Sequence, residues 1–458
     1  MSDHKRLQLS TQIKNLKRSF LQLSNFPLSN VFSTRWLKKL AESVPYRRDT
    51  IYTPLVVLRL FLLQVLNDDR SCKAAVSRFL IERAGEGETE ISHNSGPYCT
   101  ARTRLPLTLL EDGVRETAIK EDQTKNDWKW YGYNVYMADG TTVLLPDTED
   151  NQEEFPQQKN QKPGLGFPIV RICALISLAT GSVVDYAYAP YEGKGTGETS
   201  LFSRLQGSLK EGDLLLADRY YATFAIIMLL TIAGVPVVMR NHARRKIDYR
   251  KGIRLGKNDH LVKWSKPAKK PPWMSKEEYD ESPNTMTVRE FRVNGKDFVT
   301  TLTDHKQFHK KEMSFLYQQR WNIEVDLRSI KTHMGMEMLS CLSPEMIKKE
   351  IAIHFMAYNL IRSIISQSAV IHDKIPRQIS FKGAVQLIVA GATTLIEMAS
   401  RCIMDMVNTI LLAISTNAVG IRNQTPQPRA IKRRPKPYPL LTKPRREAVI
   451  NIENQYVI

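Results

Sequence analysis

The sequence predicts an α/β protein whose core is interrupted by a basic, β-rich insertion and flanked by helical N-terminal and C-terminal regions. Three observations carry this. After Trp128, short apolar runs alternate with helical stretches, the order expected of an α/β domain. From Arg240 to about Asn294 that alternation gives way to segments dense in Lys and Arg with β-like pieces between them. On either side of the core, apolar residues recur at helical spacing.

Bulk properties narrow the function. A chain of 458 residues suits two to four domains, and 42% hydrophobic residues exclude a disordered protein. The formal net charge of +19 points to a polyanionic partner, nucleic acid first and an anionic membrane surface second. Cys72, Cys99, Cys173, Cys341 and Cys402 are scattered and form no CxxC pair, which argues against a disulfide framework and a zinc site. A reducing compartment follows. The opening "MSDHKRLQLSTQIKNLKRSF" lacks the apolar core of a signal peptide, so a cytoplasmic protein is expected.

Residues 1–115 read as helical. In "STRWLKKLAESV" a Ser precedes the helix in capping position, Pro54 stands near the start of "TPLVVLRLFLLQVLNDD", and "SCKAAVSRFLIERAG" ends at Gly85. "EGETEISHNSGPY" reads as a polar loop. Lys14, Lys17, Arg18, Lys38, Lys39, Arg47 and Arg48 suit either a DNA-binding face or the solvated face of a bundle.

The core, first read over 130–239, opens with "YNVYMADGTTVLLPDT", expected as two strands joined by a tight Asp-Gly turn. "FPIVRICALISLATGSVVDYAYAPY" supplies two more strands, "GETSLFSRLQGSLK" a helix and "DLLLAD" a short buried strand. The run Tyr220 to Met239 carries no formal charge and is long enough for a bilayer. Gly234 and Pro236 break it, however, into a buried helix, a turn and a short strand, so no membrane association is expected. The insertion spans 240–304, and "TVREFRVNG" and "KDFVTTLTD" are its clearest strands.

Residues 305–342 hold the most informative helix. At about 100° per residue, Tyr317, Arg320, Glu324 and Lys331 fall within about 60° of one another, beside an apolar stripe of Leu316, Ile323, Leu327, Ile330 and Met334. Such a row is either a solvated charged face or a phosphodiester-handling face. In the second case Glu324 would ligate a divalent metal, Arg320 and Lys331 would grip phosphates, and Tyr317 would donate to a phosphate or stack on a base. Further carboxylates must then come from elsewhere. Asp139 and Asp218 each sit at or near the end of a predicted buried strand, although Asp also ends strands simply because it suits turns.

Ser343 and Pro344 open the next helix, "LIEMASRCIMDMVNTILLAIS" is helical, and residues 421–458 begin as a Pro-rich basic tail, expected to be extended or disordered. The tail either contacts DNA phosphates or solubilises the chain.

The row Tyr317-x2-Arg320-x3-Glu324-x6-Lys331 resembles the Y-R-E-K signature of bacterial insertion-sequence transposases of the DDE type. "ADGTTVLLPDT" and "LLLADRYYATF" look like that family's two aspartate segments, and the basic stretch before Glu324 looks like its insertion. The likeness covers roughly residues 131–332. It implies a ribonuclease-H-like core in which Asp139, Asp218 and Glu324 hold two Mg²⁺ or Mn²⁺ ions. It also implies cut-and-paste transposition with end nicking, a hairpin intermediate and strand transfer. The resemblance makes Tyr317, Arg320 and Lys331 DNA-binding residues and leaves Trp264 and Trp273 as candidates to stack on a flipped base; Trp321 lies on the same side of the helix. Its partners would be double-stranded DNA, as terminal inverted repeats and target, and a second protomer paired through residues 343–420, unless those helices close the core of one protomer. The setting would be the bacterial nucleoid. The alternatives are a transposase-derived DNA-binding protein without catalysis and another metal-dependent nuclease with a ribonuclease-H-like core.

Overall fold

Ser33 opens helix α1 (Thr34–Glu42) as expected, its hydroxyl accepting the Trp36 amide hydrogen at 3.2 Å. Thr53 caps α2 (Pro54–Leu66) in the same way, with Pro54 in the first turn, where no amide donor is required. α3 (Cys72–Gly85), α4 (Gly96–Thr103) and α5 (Leu107–Thr117) complete the N-terminal helices. The polar loop expected through Tyr98 ends earlier than its composition suggests, because the Tyr98 ring is buried and its hydroxyl donates to Gln64 Oε1 at 2.8 Å. The computed structural model describes residues 32–44, 51–85, 92–119, 126–396, 403–419 and 441–456. Lys14, Lys17, Arg18, Arg47 and Arg48, the 397–402 stretch of the predicted C-terminal helix and most of the Pro-rich segment lie outside those residues.

One mixed sheet organises the core. β1 (Asn134–Leu144), β2 (Ile169–Ser177), β3 (Val183–Pro190), β4 (Asp213–Ala217) and β5 (Val237–Arg240) lie side by side in the order β3-β2-β1-β4-β5. β2 is antiparallel to both β1 and β3, whereas β4 is parallel to both β1 and β5. The expected Asp-Gly turn is not formed. β2 supplies partners along nearly the whole of β1, with Asp139 opposite Ala174 and Gly140 opposite Cys173, so one continuous strand satisfies the backbone better than a hairpin would.

The insertion extends this sheet. β6 (Ile253–Gly256), β7 (Asp259–Ser265), β8 (Thr285–Val293) and β9 (Lys296–Thr300) form an antiparallel meander whose last strand pairs with β5, giving nine strands in all. Asn294 and Gly295, both at positive φ, make the β8–β9 turn.

The connecting helices are α6 (Glu149–Glu154), α7 (Glu198–Ser203), α8 (Phe224–Ile232) and, within the insertion, α9 (Lys276–Glu281). The uncharged run thus resolves into α8 and β5, as its punctuation predicts, and among the described residues no helix is long and apolar enough to cross a membrane. The "GETSLFSRLQGSLK" helix is shorter than expected, reduced to α7 and a 3₁₀ turn at Gln206–Ser208.

Strand alternation divides the core in two. Val135, Met137, Leu214 and Leu216 join the large cluster shared with the N- and C-terminal helices, while Ala138, Leu215 and Ala217 face the cluster built by α7 and α8. On the first side lie α10 (Lys310–Gln318), α11 (Trp321–Arg328) and the long α12 (Pro344–Ile371), followed by α13 (Phe381–Ile396) and α14 (Ile403–Thr416). α12 is buried along most of its length between α2, α5, α13 and α14. Its Asn359 side chain bonds both the amide and the carbonyl of Val183, each at 2.8 Å. Of the two roles open to this region, α12 therefore closes the core of one protomer. In the tail, Arg445–Tyr456 forms α15, which shortens the segment expected to be extended.

Candidate active site

Strand register sets the first two carboxylates. Ala138 pairs with Ala217 across the parallel β1–β4 ladder, so Asp139 and Asp218 follow at the same level and leave the sheet on one face. Asp218 stands where β4 stops and caps the 3₁₀ turn Arg219–Tyr221, accepting the Tyr220 amide hydrogen at 3.4 Å. Asp139 lies inside β1 rather than at a strand end, and its Oδ1 accepts the Gly140 amide hydrogen at 2.8 Å.

The signature segment is not one straight helix. α10 ends at Gln318, and Gln319 and Arg320 bond back to Leu316 and Tyr317, three residues earlier, before α11 begins at Trp321. After Arg328 the chain widens into a π turn, Ser329–His333, with the Met334 amide bonding Ser329. Such interruptions recur at functional sites. The predicted apolar stripe is fully inside, Leu316, Ile323, Leu327, Ile330 and Met334 all being buried. At about 1.5–3 kcal/mol for each such side chain, it holds the broken helix against the core. The four polar residues consequently come from three pieces: Tyr317 from α10, Arg320 and Glu324 around the start of α11, and Lys331 from the π turn.

Arg320 ties the pieces to the sheet. Its Nη1 donates to Asp139 Oδ2 at 3.1 Å and its Nη2 to Glu324 Oε1 at 2.7 Å. Two clefts lie at these residues. One, of about 350 Å³, is lined by Asp139, Glu324, Lys331 and Glu337. The other, of about 310 Å³, is lined by Asp218, Arg219, Arg240, Lys296, Tyr317 and Trp321 together with Arg320 itself. Tyr317 packs edge-on against Phe298, 5.4 Å between ring centroids, and burial above all pushes its phenol up.

Negative charge is crowded here. Burial in the first place pushes the Asp139 carboxyl above its usual range, and the charges of Glu324 and Asp218 add to that, against the Gly140 amide and Arg320. A carboxylate set of this kind offers the hard oxygen donors that Mg²⁺ and Mn²⁺ take. Among the described residues, no three acidic, His or Cys side chains are close enough in this arrangement to hold one metal ion. Arg320 bridges Asp139 and Glu324, and Asp218 lines the neighbouring cleft. The donor chemistry is that of a divalent-ion site.

The insertion tryptophans part company. Trp264 is buried on β7, donates its Nε1 hydrogen to Glu290 Oε1 at 3.1 Å and lies 3.6 Å beneath the Arg245 guanidinium. Expected as a stacking candidate, it is instead a core residue with its ring face covered. Trp273 is half-buried against the same cluster, and Trp321 is exposed at the second cleft.

Three features escape sequence reasoning. Arg219, Arg240 and Lys296 ring the second cleft from three separate segments. Asp326, two residues from Glu324, is wholly buried between Arg362 and Arg377, at 2.6 and 2.7 Å. Glu198, at the start of α7, packs its carboxyl against Gly140. Only Asp326 left a trace in sequence, as an acid falling off the polar row and beside the apolar stripe.

Two aspartates matched in strand register, a glutamate from a facing helix and a surround of cations are the kinds of group that metal-assisted phosphodiester chemistry uses. The chain belongs to the DDE transposases, residues 130–360 matching the family described as Transposase DDE domain. It is 26% identical over 350 residues to transposase InsG for insertion sequence element IS4 of Escherichia coli (strain K12), a match spanning 75% of this chain and 77% of that protein. The cryo-EM structure of the piggyBac transposase synaptic complex with hairpin DNA aligns with 86% of this chain and 85% of that one, at a TM-score of 0.43 and 10% identity. The protein is a DNA transposase, in a family that uses divalent metal ions to cleave and join DNA strands.

Proposed function

We propose that this transposase moves an insertion sequence by cut-and-paste, with Asp139, Asp218 and Glu324 as its metal-holding triad and two Mg²⁺ or Mn²⁺ ions as cofactors. The observation that carries the reading is the register of Asp139 beside Asp218 together with the Arg320 bridge from Asp139 to Glu324. The strand order β3-β2-β1-β4-β5, with its antiparallel first three strands, supports a ribonuclease-H-like core over 130–239 and 305–342. Bound ions would lower the pKa of an attacking water or 3′-OH and offset charge on the leaving oxygen.

The chain's own residues then do the following. Arg320 holds Asp139 and Glu324 in place before DNA arrives, and swings to a phosphate when DNA enters, freeing both carboxylates. Its planar fork suits either partner, so the exchange costs little in hydrogen bonding. Tyr317, Arg219, Arg240 and Lys296 receive the strand in the second cleft, and Lys331 holds it in the first. Trp273 and Trp321, whose rings are the more accessible, take over the base-stacking role from Trp264 in a hairpin intermediate. The N-terminal helices recognise the terminal repeats, and two protomers hold the two element ends at the bacterial nucleoid.

The test is cleavage of an end-labelled duplex carrying the flanks of the gene, with Mg²⁺ or Mn²⁺. Metal-dependent nicking at one discrete position is the expected result; binding without nicking in either metal would instead fit a DNA-binding derivative. Lys331→Ala is expected to weaken binding to those ends and to reduce the slope of log K against log salt by about one, as loss of one phosphate contact does. An unchanged slope would remove Lys331 from the phosphate contacts.

A further inference from the structure

Tyr131 sits where a tyrosine is rarely found. Trp130 and Tyr133 exchange backbone hydrogen bonds of 3.0 and 2.9 Å around a two-residue turn, Tyr131-Gly132, and both turn residues have positive φ, 49° and 83°. Such a turn favours Asn-Gly, and a bulky side chain at its first position is strained. Three contacts hold the side chain there. The ring meets Trp130 and Phe308 edge-on, with centroids 4.7 and 5.4 Å apart, and the hydroxyl donates to Glu312 Oε2 at 2.7 Å. The ring is thus fixed in place, yet Tyr131 stays 47% exposed. Backbone strain of this kind clusters at functional sites.

Glu312 ties that ring to α10. Three residues on, and so beside it on the helix surface, Phe315 is 65% exposed. Three residues further, Gln318 lines the second cleft together with Trp321. Met313 and Leu316 already bury the apolar side of α10, so packing does not call for Phe315. From the cleft outward the surface therefore presents Trp321, Gln318, Phe315 and Tyr131. Its charge is matched to an anion. Lys311, one turn before Phe315, is exposed, and Arg219, Arg240 and Lys296 line the cleft end. Glu312, the only acid of α10, is engaged by the Tyr131 hydroxyl. Exposed rings between cations suit a ligand with a charged backbone and flat apolar faces, which is a nucleic-acid strand.

We propose that Tyr131 and Phe315 form a stacking surface for the bases of an unpaired DNA strand that leaves the second cleft across α10. This rests on the reading of that cleft as the one that receives DNA. In a duplex the base faces are covered by neighbouring bases, so these rings select a single-stranded segment next to the duplex end.

The experiment compares the full chain on two gene-flank duplexes, one blunt and one with a single-stranded tail carrying iodouracil, with a tail on each strand in turn. Wild type is expected to bind one of the tailed duplexes more tightly than the blunt one, and on irradiation to crosslink at Tyr131 or Phe315. Phe315→Ala opens no cavity, and Tyr131→Asn gives the turn its preferred Asn-Gly pair, so neither substitution threatens the fold. Each is expected to lower the tailed-to-blunt affinity ratio about 10–100-fold, as loss of one base–aromatic stack does. A wild-type ratio in both variants, with crosslinks elsewhere, would overturn the proposal. So would an unchanged ratio accompanied by loss of a DNA-free dimer in Phe315→Ala, which would make this face a contact between two copies of the chain. The double variant Arg240→Ala, Lys296→Ala tests the cleft separately. Unchanged affinity for both duplexes there would remove the cleft reading and this proposal with it, whereas loss there beside a wild-type ratio in Phe315→Ala and Tyr131→Asn would strike the stacking surface alone.

Discussion

Glu324→Ala will abolish strand cleavage while leaving DNA-end binding nearly intact. The carboxylate lines the first cleft beside Asp139 and Lys331, and its one hydrogen-bond partner among the described residues is Arg320. In the proposed function, removing it deletes a cation ligand and leaves the side chains proposed to hold phosphate in place. Losing roughly 4 kcal/mol of transition-state charge stabilisation, at about 1.4 kcal/mol per decade, lowers the single-turnover nicking rate about a thousandfold or more. The same side chain is partly exposed, so the substitution leaves no cavity, and the thermal midpoint should stay close to wild type. A nicking rate within tenfold of wild type would take Glu324 out of the triad.

Asp326→Ala will destabilise the protein by about 3–5 kcal/mol, the range for removing one partner of a buried ion pair. Asp326 is wholly enclosed. Arg362 of α12 reaches its Oδ1 at 2.6 Å, and Arg377 contacts both oxygens at 2.7 Å. Arg377 also donates to the carbonyls of Ser177 and Leu178 at the end of β2. One carboxylate therefore clamps the helix bearing Glu324 to both the long helix and the sheet. Its loss leaves the buried Arg362 and the half-buried Arg377 without their carboxylate. Denaturant unfolding of Asp326→Ala reads the effect directly; a change below about 1 kcal/mol would mean that the clamp does not anchor α11. Asp326→Asn should recover part of the loss, since it keeps one acceptor oxygen.

The sequence made the two ends of the site legible for different reasons. Asp218 was readable because "LLLAD" is a fully buried strand with a polar terminus, and β4 ends as that pattern says. Glu324 was readable through its spacing to Arg320, which the Arg320–Glu324 bond reflects directly. The apolar run ending at Asp139 suggests a strand end there, with Asp-Gly as a turn, but β2 offers a partner to each side of it and the strand runs through. The kink at Gln319–Arg320 and the π turn at Lys331 were not legible, because a helical wheel assumes a constant 100° per residue. Trp264 looked available in a basic, polar stretch, whereas its burial depends on Glu290 and Arg245, some 20 residues away on either side. Glu198 left no signal in the sequence; its close approach to β1 depends on a glycine 58 positions earlier. Local pattern located the strands and the signature helix, and long-range packing decided which charged side chains meet.

In the proposed function Arg320 keeps apart carboxylates that DNA and cation bring together. The measurement that tests it most directly is a structure of the DNA-end complex with Mn²⁺, its metal positions fixed by anomalous scattering. The expected result has Asp139, Asp218 and Glu324 oxygens at about 2.0–2.3 Å from Mn²⁺, and the Arg320 guanidinium on a DNA phosphate. Arg320 still bridging Asp139 and Glu324 on bound DNA, with Mn²⁺ held elsewhere, would contradict it.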